Sequence, residues 1–132
     1  MSVAYVESSA AAKLVLQEAE SDALRSSLRE HDHVVCSDLT RLEVARAAWR
    51  SDGDVGLAQA RVALLPIGLI PIDRRVVDAA IGLASATLRS LDAIHVASAL
   101  SLGADGVTFY SYDARTVEAA HSAGLSVASP RP

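Results

Sequence analysis

Short apolar runs alternate with helix-patterned segments along the whole chain, and this constrains its fold more than any other feature. VAYV at residues 3 to 6, VVCS at 34 to 37, IGLIPI between Pro66 and Asp73, GVTFYSYD from Gly106 and LSVAS from Leu125 read as strands. Between them lie helical patterns. The first follows Ser8 or Ser9 as cap and runs through AAAKLV. The next is SDALRSSLREH, capped by Ser21, with Leu24 and Leu28 four apart on one face. LTRLEVARAAWRS follows a cap at Ser37 or Asp38, and SDGD at 51 to 54 separates it from a shorter helix through GLAQARVALL. Helices are also expected from about Arg74 to Ala86, from about Leu91 to Leu102 with Gly103 closing it, and through ARTVEAAHSAG with Gly124 as its cap. Parallel strands need crossover connections, and helices supply them. The alternation therefore predicts an α/β fold: a three-layer sandwich whose mostly parallel central sheet of about five strands is flanked by helices. At 132 residues, with no internal repeat or linker, the chain reads as one domain over 1–132, with SPRP at 129–132 as a flexible tail.

Composition narrows the class. Hydrophobic residues make up 51% and charged ones 21%, a globular balance, and no apolar run approaches the roughly 18 residues that span a bilayer. The opening MSVAYVESSAAAKLV lacks the basic start and apolar stretch of an export signal, and Cys36 is the single cysteine, so a reducing cytoplasmic setting is expected. A net charge of −4 argues against a broad phosphate-binding surface. Acids converging on divalent cations would reverse that charge locally. Eleven Arg accompany the single Lys13, and Arg has the planar fork suited to phosphate, although a bias of composition explains the skew as well.

In an open parallel sheet, ligands sit beyond the carboxyl ends of the strands. Residues there are acidic. Glu7 ends the first strand and Asp113 the fourth. Asp92 opens the helix that leads into the fourth strand, so it belongs at the same edge. Glu43 lies about one and a half turns into the helix after the second strand, roughly 8 Å below its start, within reach of a long side chain. Each has an ordinary alternative: Asp92 complements a helix dipole, Asp113 caps a helix, and Glu7 and Glu43 are solvated. Together they would repel one another unless a cation intervened. Mg²⁺ and Mn²⁺ favour oxygen ligands and substrate phosphate, so the predicted site is one for phosphate chemistry through a metal-activated water.

Three segments then carry a resemblance. YVESSAAAK, with Glu7, Ser8, Ser9 and Lys13, SDLTRLEVARA, with Glu43, and RSLDAIHVASALSLGAD followed by VTFYSYDARTVEAAHSAGL, with Asp92, Ser111 and Asp113, resemble the PIN domain in its VapC group of toxin ribonucleases. The resemblance spans almost the whole chain and is most specific in LDAIHVASAL with its downstream SYD. It implies Mg²⁺- or Mn²⁺-dependent endonucleolytic cleavage of RNA leaving a 3′-hydroxyl and a 5′-phosphate, with Glu7, Glu43, Asp92 and Asp113 as the acids and Ser8, Ser9 and Ser111 in support. It also implies a homodimer and neutralisation by a small VapB-type antitoxin. That partner is expected over the helices containing Lys13, Leu24 and Trp49, with a basic residue reaching toward Asp92. Glu7 departs from the usual Asp, which keeps open a weakened enzyme acting mainly as an antitoxin- or RNA-binding module.

The remaining residues are less informative. His95 reads as a packed structural side chain, and His31, His33 and His121 lack zinc spacing with Cys36. Trp49 is divided between core packing and groove lining. Arg41, Arg46, Arg89 and Arg115 each read as part of a solvated face. A phospho-accepting receiver domain is a further alternative, but it requires paired acids after the first strand and a late lysine, and neither is present.

Overall fold

The computed structural model describes residues 1–132. Strands β1 (Val3–Val6), β2 (His33–Ser37), β3 (Gly68–Ile70), β4 (Val107–Tyr110) and β5 (Ser126–Ala128) form one sheet in the order β3-β2-β1-β4-β5, with every neighbouring pair parallel. The crossovers are α1 (Ser8–Val15), α2 (Ser21–Leu28), α3 (Asp38–Leu64), α4 (Arg74–Ile81), α5 (Ser90–Leu100) and α6 (Ala114–Ser122). Alternation along β1 builds the three layers. Ala4 and Val6 join Ala10, Leu24, Val44 and Leu64 in a core beneath α1, α2 and α3, while Tyr5 points to the other face with Val96, Phe109, Ala120 and Leu125. The expected fold class is the one observed. No helix is long and apolar enough to cross a membrane.

The differences are local. SDGD breaks the helical segment as expected, but as a kink inside α3: Asp52 and Gly53 leave helical geometry, and Gly53 takes φ 56, where a side chain is strained. α4 stops at Ile81, short of Ala86, with Gly82 as its C-cap. Ser37 caps α3, accepting from Leu39 N at 3.0 Å. The cap expected for α1 differs, because Glu7 holds that position without a side-chain cap bond and the hydroxyls of Ser8 and Ser9 turn to other partners. Ser21 likewise opens α2 without capping it, and its hydroxyl accepts from Glu18 N at 2.8 Å. The terminal residues have specific contacts: Tyr112 Oη donates to Pro130 O at 2.7 Å and Ser129 Oγ to Ser111 O at 2.5 Å.

Candidate active site

The chain runs outward from β1 to β2 and β3, then returns to place β4 and β5 on the other side of β1. Sheet order thus reverses between β1 and β4, which opens a crevice beyond their carboxyl ends. Val6 pairs with Tyr110, so Glu7 and Ser111 emerge side by side at that point, and Glu7 N donates to Tyr110 O at 3.0 Å. Glu7 is only 5% exposed. Its Oε1 accepts from the hydroxyls of Ser9 and Ser111, the latter at 2.7 Å. Those hydroxyls are themselves fixed by backbone, Ser9 Oγ accepting from Tyr112 N at 2.8 Å and Ser111 Oγ from Asp113 N at 3.1 Å. The second oxygen, Oε2, takes no protein donor and is not sealed from solvent. One oxygen is anchored and the other is free to meet a ligand.

Asp113 is the N-cap of α6, with Oδ1 accepting from Arg115 N and Oδ2 from Thr116 Oγ1, each at 3.1 Å. Asp113 thus caps α6 while lying close enough to Asp92 to act on its charge. Asp92, in the first turn of α5, has acids around it. Burial, and then the fields of Asp113, Glu7 and Glu43, push its carboxyl above the ordinary aspartate value, with His95 opposing them. Glu43 is the contrary case. Burial raises it, but hydrogen bonds from His95 and Ser8 outweigh burial and hold it below the usual glutamate value. Ser8 Oγ donates to Glu43 Oε1 at 2.6 Å, and His95 Nε2 lies 2.8 Å from the same oxygen.

Asp92 thus feels the charge of the other three acids, two of which lie in separate hydrogen-bonded sets: Glu7 with Ser9 and Ser111, and Glu43 with Ser8 and His95. No three His, Cys, Asp or Glu groups stand close enough to enclose an ion among themselves. An oxygen-only set of this kind suits a hard cation that keeps part of its water shell, since Mg²⁺ commonly takes one or two carboxylates and completes its octahedron with water.

His95 is packed, as its sequence setting suggested, but it has a second contact that the sequence did not reveal. At 1% exposure it also touches Glu43, and its position one helical turn after Asp92 was the available signal. The expected partner groove needs correction at Leu24, which is fully buried and therefore serves the core. Trp49 is 54% exposed, which resolves it toward the surface. Lys13 is held by Glu20 at 3.1 Å and Glu18 at 3.7 Å, and it lies 4.9 Å from the Tyr112 ring centre. Arg41 pairs locally with Asp38 at 3.1 Å, as a solvated-face residue would.

The family model described as "PIN domain" matches residues 4–121. "Ribonuclease VapC46" of Mycobacterium tuberculosis is 43% identical over 130 residues, covering 98% of this chain and 99% of that protein. Among solved structures, VapBC2 from Rickettsia felis, bound to a DNA fragment from its promoter, superposes with a TM-score of 0.76 at 8% identity, covering 96% of this chain and 97% of that one. VapC20 of Mycobacterium tuberculosis, described as a sarcin-ricin loop cleaving toxin, gives 0.70 at 18% identity, covering 98% and 99%. At those identities the structural likeness is one of fold.

Proposed function

Because the chain belongs to the PIN domain family, in its VapC group, we propose that it is a divalent-cation-dependent endoribonuclease, the toxin of a toxin–antitoxin pair. The observation that carries this reading is geometric: the pairing of β1 with β4 brings Glu7 and Ser111 out side by side in hydrogen-bond contact, with Asp113 capping α6 and Asp92 in the first turn of α5. Glu7, Asp92 and Asp113, with Glu43, would hold Mg²⁺ or Mn²⁺. When bound, such a cation supplies an acidified water and charge neutralisation at the phosphate. The chain's own residues do the rest. Ser9 and Ser111 anchor one oxygen of Glu7 and leave the other without a protein donor. Ser8 and His95 keep Glu43 ionised, an acceptor able to orient a water.

A VapB-type antitoxin is the proposed partner, and homodimerisation the proposed assembly. An Arg or Lys side chain from that partner, set against Asp92, would relieve the same repulsion that a cation relieves. With Leu24 in the core, the partner surface retains Trp49 and the neighbourhood of Lys13. The direct test is RNA cleavage in Mn²⁺, in excess chelator, and by Asp92→Asn. Cleavage is expected only with the cation, and Asp92→Asn should lower it by at least the roughly 100-fold upper range seen for residues that merely support a metal ligand. Undiminished cleavage in chelator would contradict the proposal.

A further inference from the structure

Behind Glu43 runs a chain of polar contacts that ends in the opposite core. His95 bridges the two faces of the sheet: Nε2 is 2.8 Å from Glu43 Oε1, and Nδ1 is 2.8 Å from the hydroxyl of Tyr5. Tyr5 has no exposed surface and stacks on Phe109 at 5.2 Å with the rings 8° apart. We propose that Tyr5 and His95 form a positioning relay for Glu43, in which a buried phenol fixes the tautomer and orientation of a buried imidazole, and the imidazole fixes the carboxylate.

The proton assignment follows from the partners. Carboxylate oxygens only accept, and the one hydrogen of Ser8 Oγ goes to Glu43, so the His95–Glu43 bond requires a proton on Nε2. A neutral imidazole then presents Nδ1 as an acceptor, and the Tyr5 hydroxyl donates to it. Ser8 Oγ, 3.2 Å from Nε2, closes the group around Glu43 Oε1. An imidazole serving the core alone needs no partner at the site. Here the far end is a candidate ligand, and Asp92 stands one turn earlier on the same helix. Relays of this kind orient ligands without touching substrate.

The inference rests on reading Glu43 as part of a cation site for RNA cleavage, so its test measures Mn²⁺ binding by calorimetry as well as cleavage. The variants are Tyr5→Phe, His95→Ala and His95→Gln; Tyr5→Phe keeps the stacked ring and removes only the hydroxyl, so it tests the relay even if His95→Ala folds poorly. Tyr5→Phe and His95→Ala should each weaken Mn²⁺ binding and lower kcat about 10-fold, with KM within about 2-fold, in the range for groups behind a metal ligand. His95→Gln, whose amide can donate at one end and accept at the other, should recover most of the loss. In a Glu43→Gln background, Tyr5→Phe should have no further effect. Mn²⁺ affinity and kcat unchanged in Tyr5→Phe, or the same loss persisting in the Glu43→Gln background, would overturn the relay while leaving the nuclease reading intact. A wild-type protein that binds Mn²⁺ but cuts no RNA would overturn the nuclease reading instead, and the binding measurements would still decide the relay. If the wild type binds no Mn²⁺, both readings fall.

Discussion

Glu7 shows how a single methylene is accommodated. VapC-type chains usually carry Asp at this place, and one C–C bond moves a carboxylate by roughly 1.5 Å. Here the longer side chain reaches Ser9 and Ser111, and both hydroxyls are held by backbone N–H groups that cannot follow a shorter acid. Glu7→Asp is therefore expected to lower Mn²⁺-dependent cleavage, by about 10-fold if it acts like other losses of a ligand's support. A gain in activity on restoring the usual residue would show that the hydroxyl pair is not matched to Glu. Glu7, Asp92 and Asp113 were legible in the sequence because a strand end or a helix start fixes their place. The bond between Glu43 and His95 was not, since it joins residues 52 apart whose rotamers depend on packing. Tyr5 looked like any strand residue, and its hydroxyl gained meaning only when His95 came to rest beside it.

At the scale of elements, strand and helix order could be read from periodicity, but what covers each apolar face could not. Leu24 and Leu28 mark an amphipathic face of α2; the structure turns that face into the core with Ala10 and Ala11 of α1, so Leu24 offers no surface to a partner. The kink in α3 was legible as SDGD, yet its tight return was not. A Cβ on Gly56 would stand 2.3 Å from Ala48 O, a backbone atom that cannot rotate away. Gly56→Ala should destabilise the protein by about 1–3 kcal/mol, as overpacking does, despite the better helix propensity of alanine. Denaturant unfolding checks this, and an unchanged midpoint would mean that the two halves of α3 are not held against each other.

For the whole molecule, the strand order places Glu7, Asp92 and Asp113 at the sheet's switch point, and a net charge of −4 leaves their repulsion to be answered locally. The raised Asp92 makes the consequence pH-dependent. Its folded form holds the proton better than the unfolded chain, so its contribution to stability is full below the ordinary value of 3.8 and is lost as pH rises through the raised one. In chelator, Asp92→Asn should match the wild type at the acid end of that window and exceed it in Tm above it. Mn²⁺ at 100 times its Kd should stabilise the wild type by about 2.7 kcal/mol, a Tm rise on the order of 10 °C for a chain of this size. A Tm unmoved by cation, or an Asn variant less stable than wild type at neutral pH, would remove repulsion from the account. The most direct measurement is an anomalous difference map from crystals of the protein soaked in Mn²⁺. A peak is expected beyond β1 and β4, in contact with Glu7, Asp92 and Asp113 directly or through water. Density elsewhere on a protein that still cuts RNA in Mn²⁺ would contradict it.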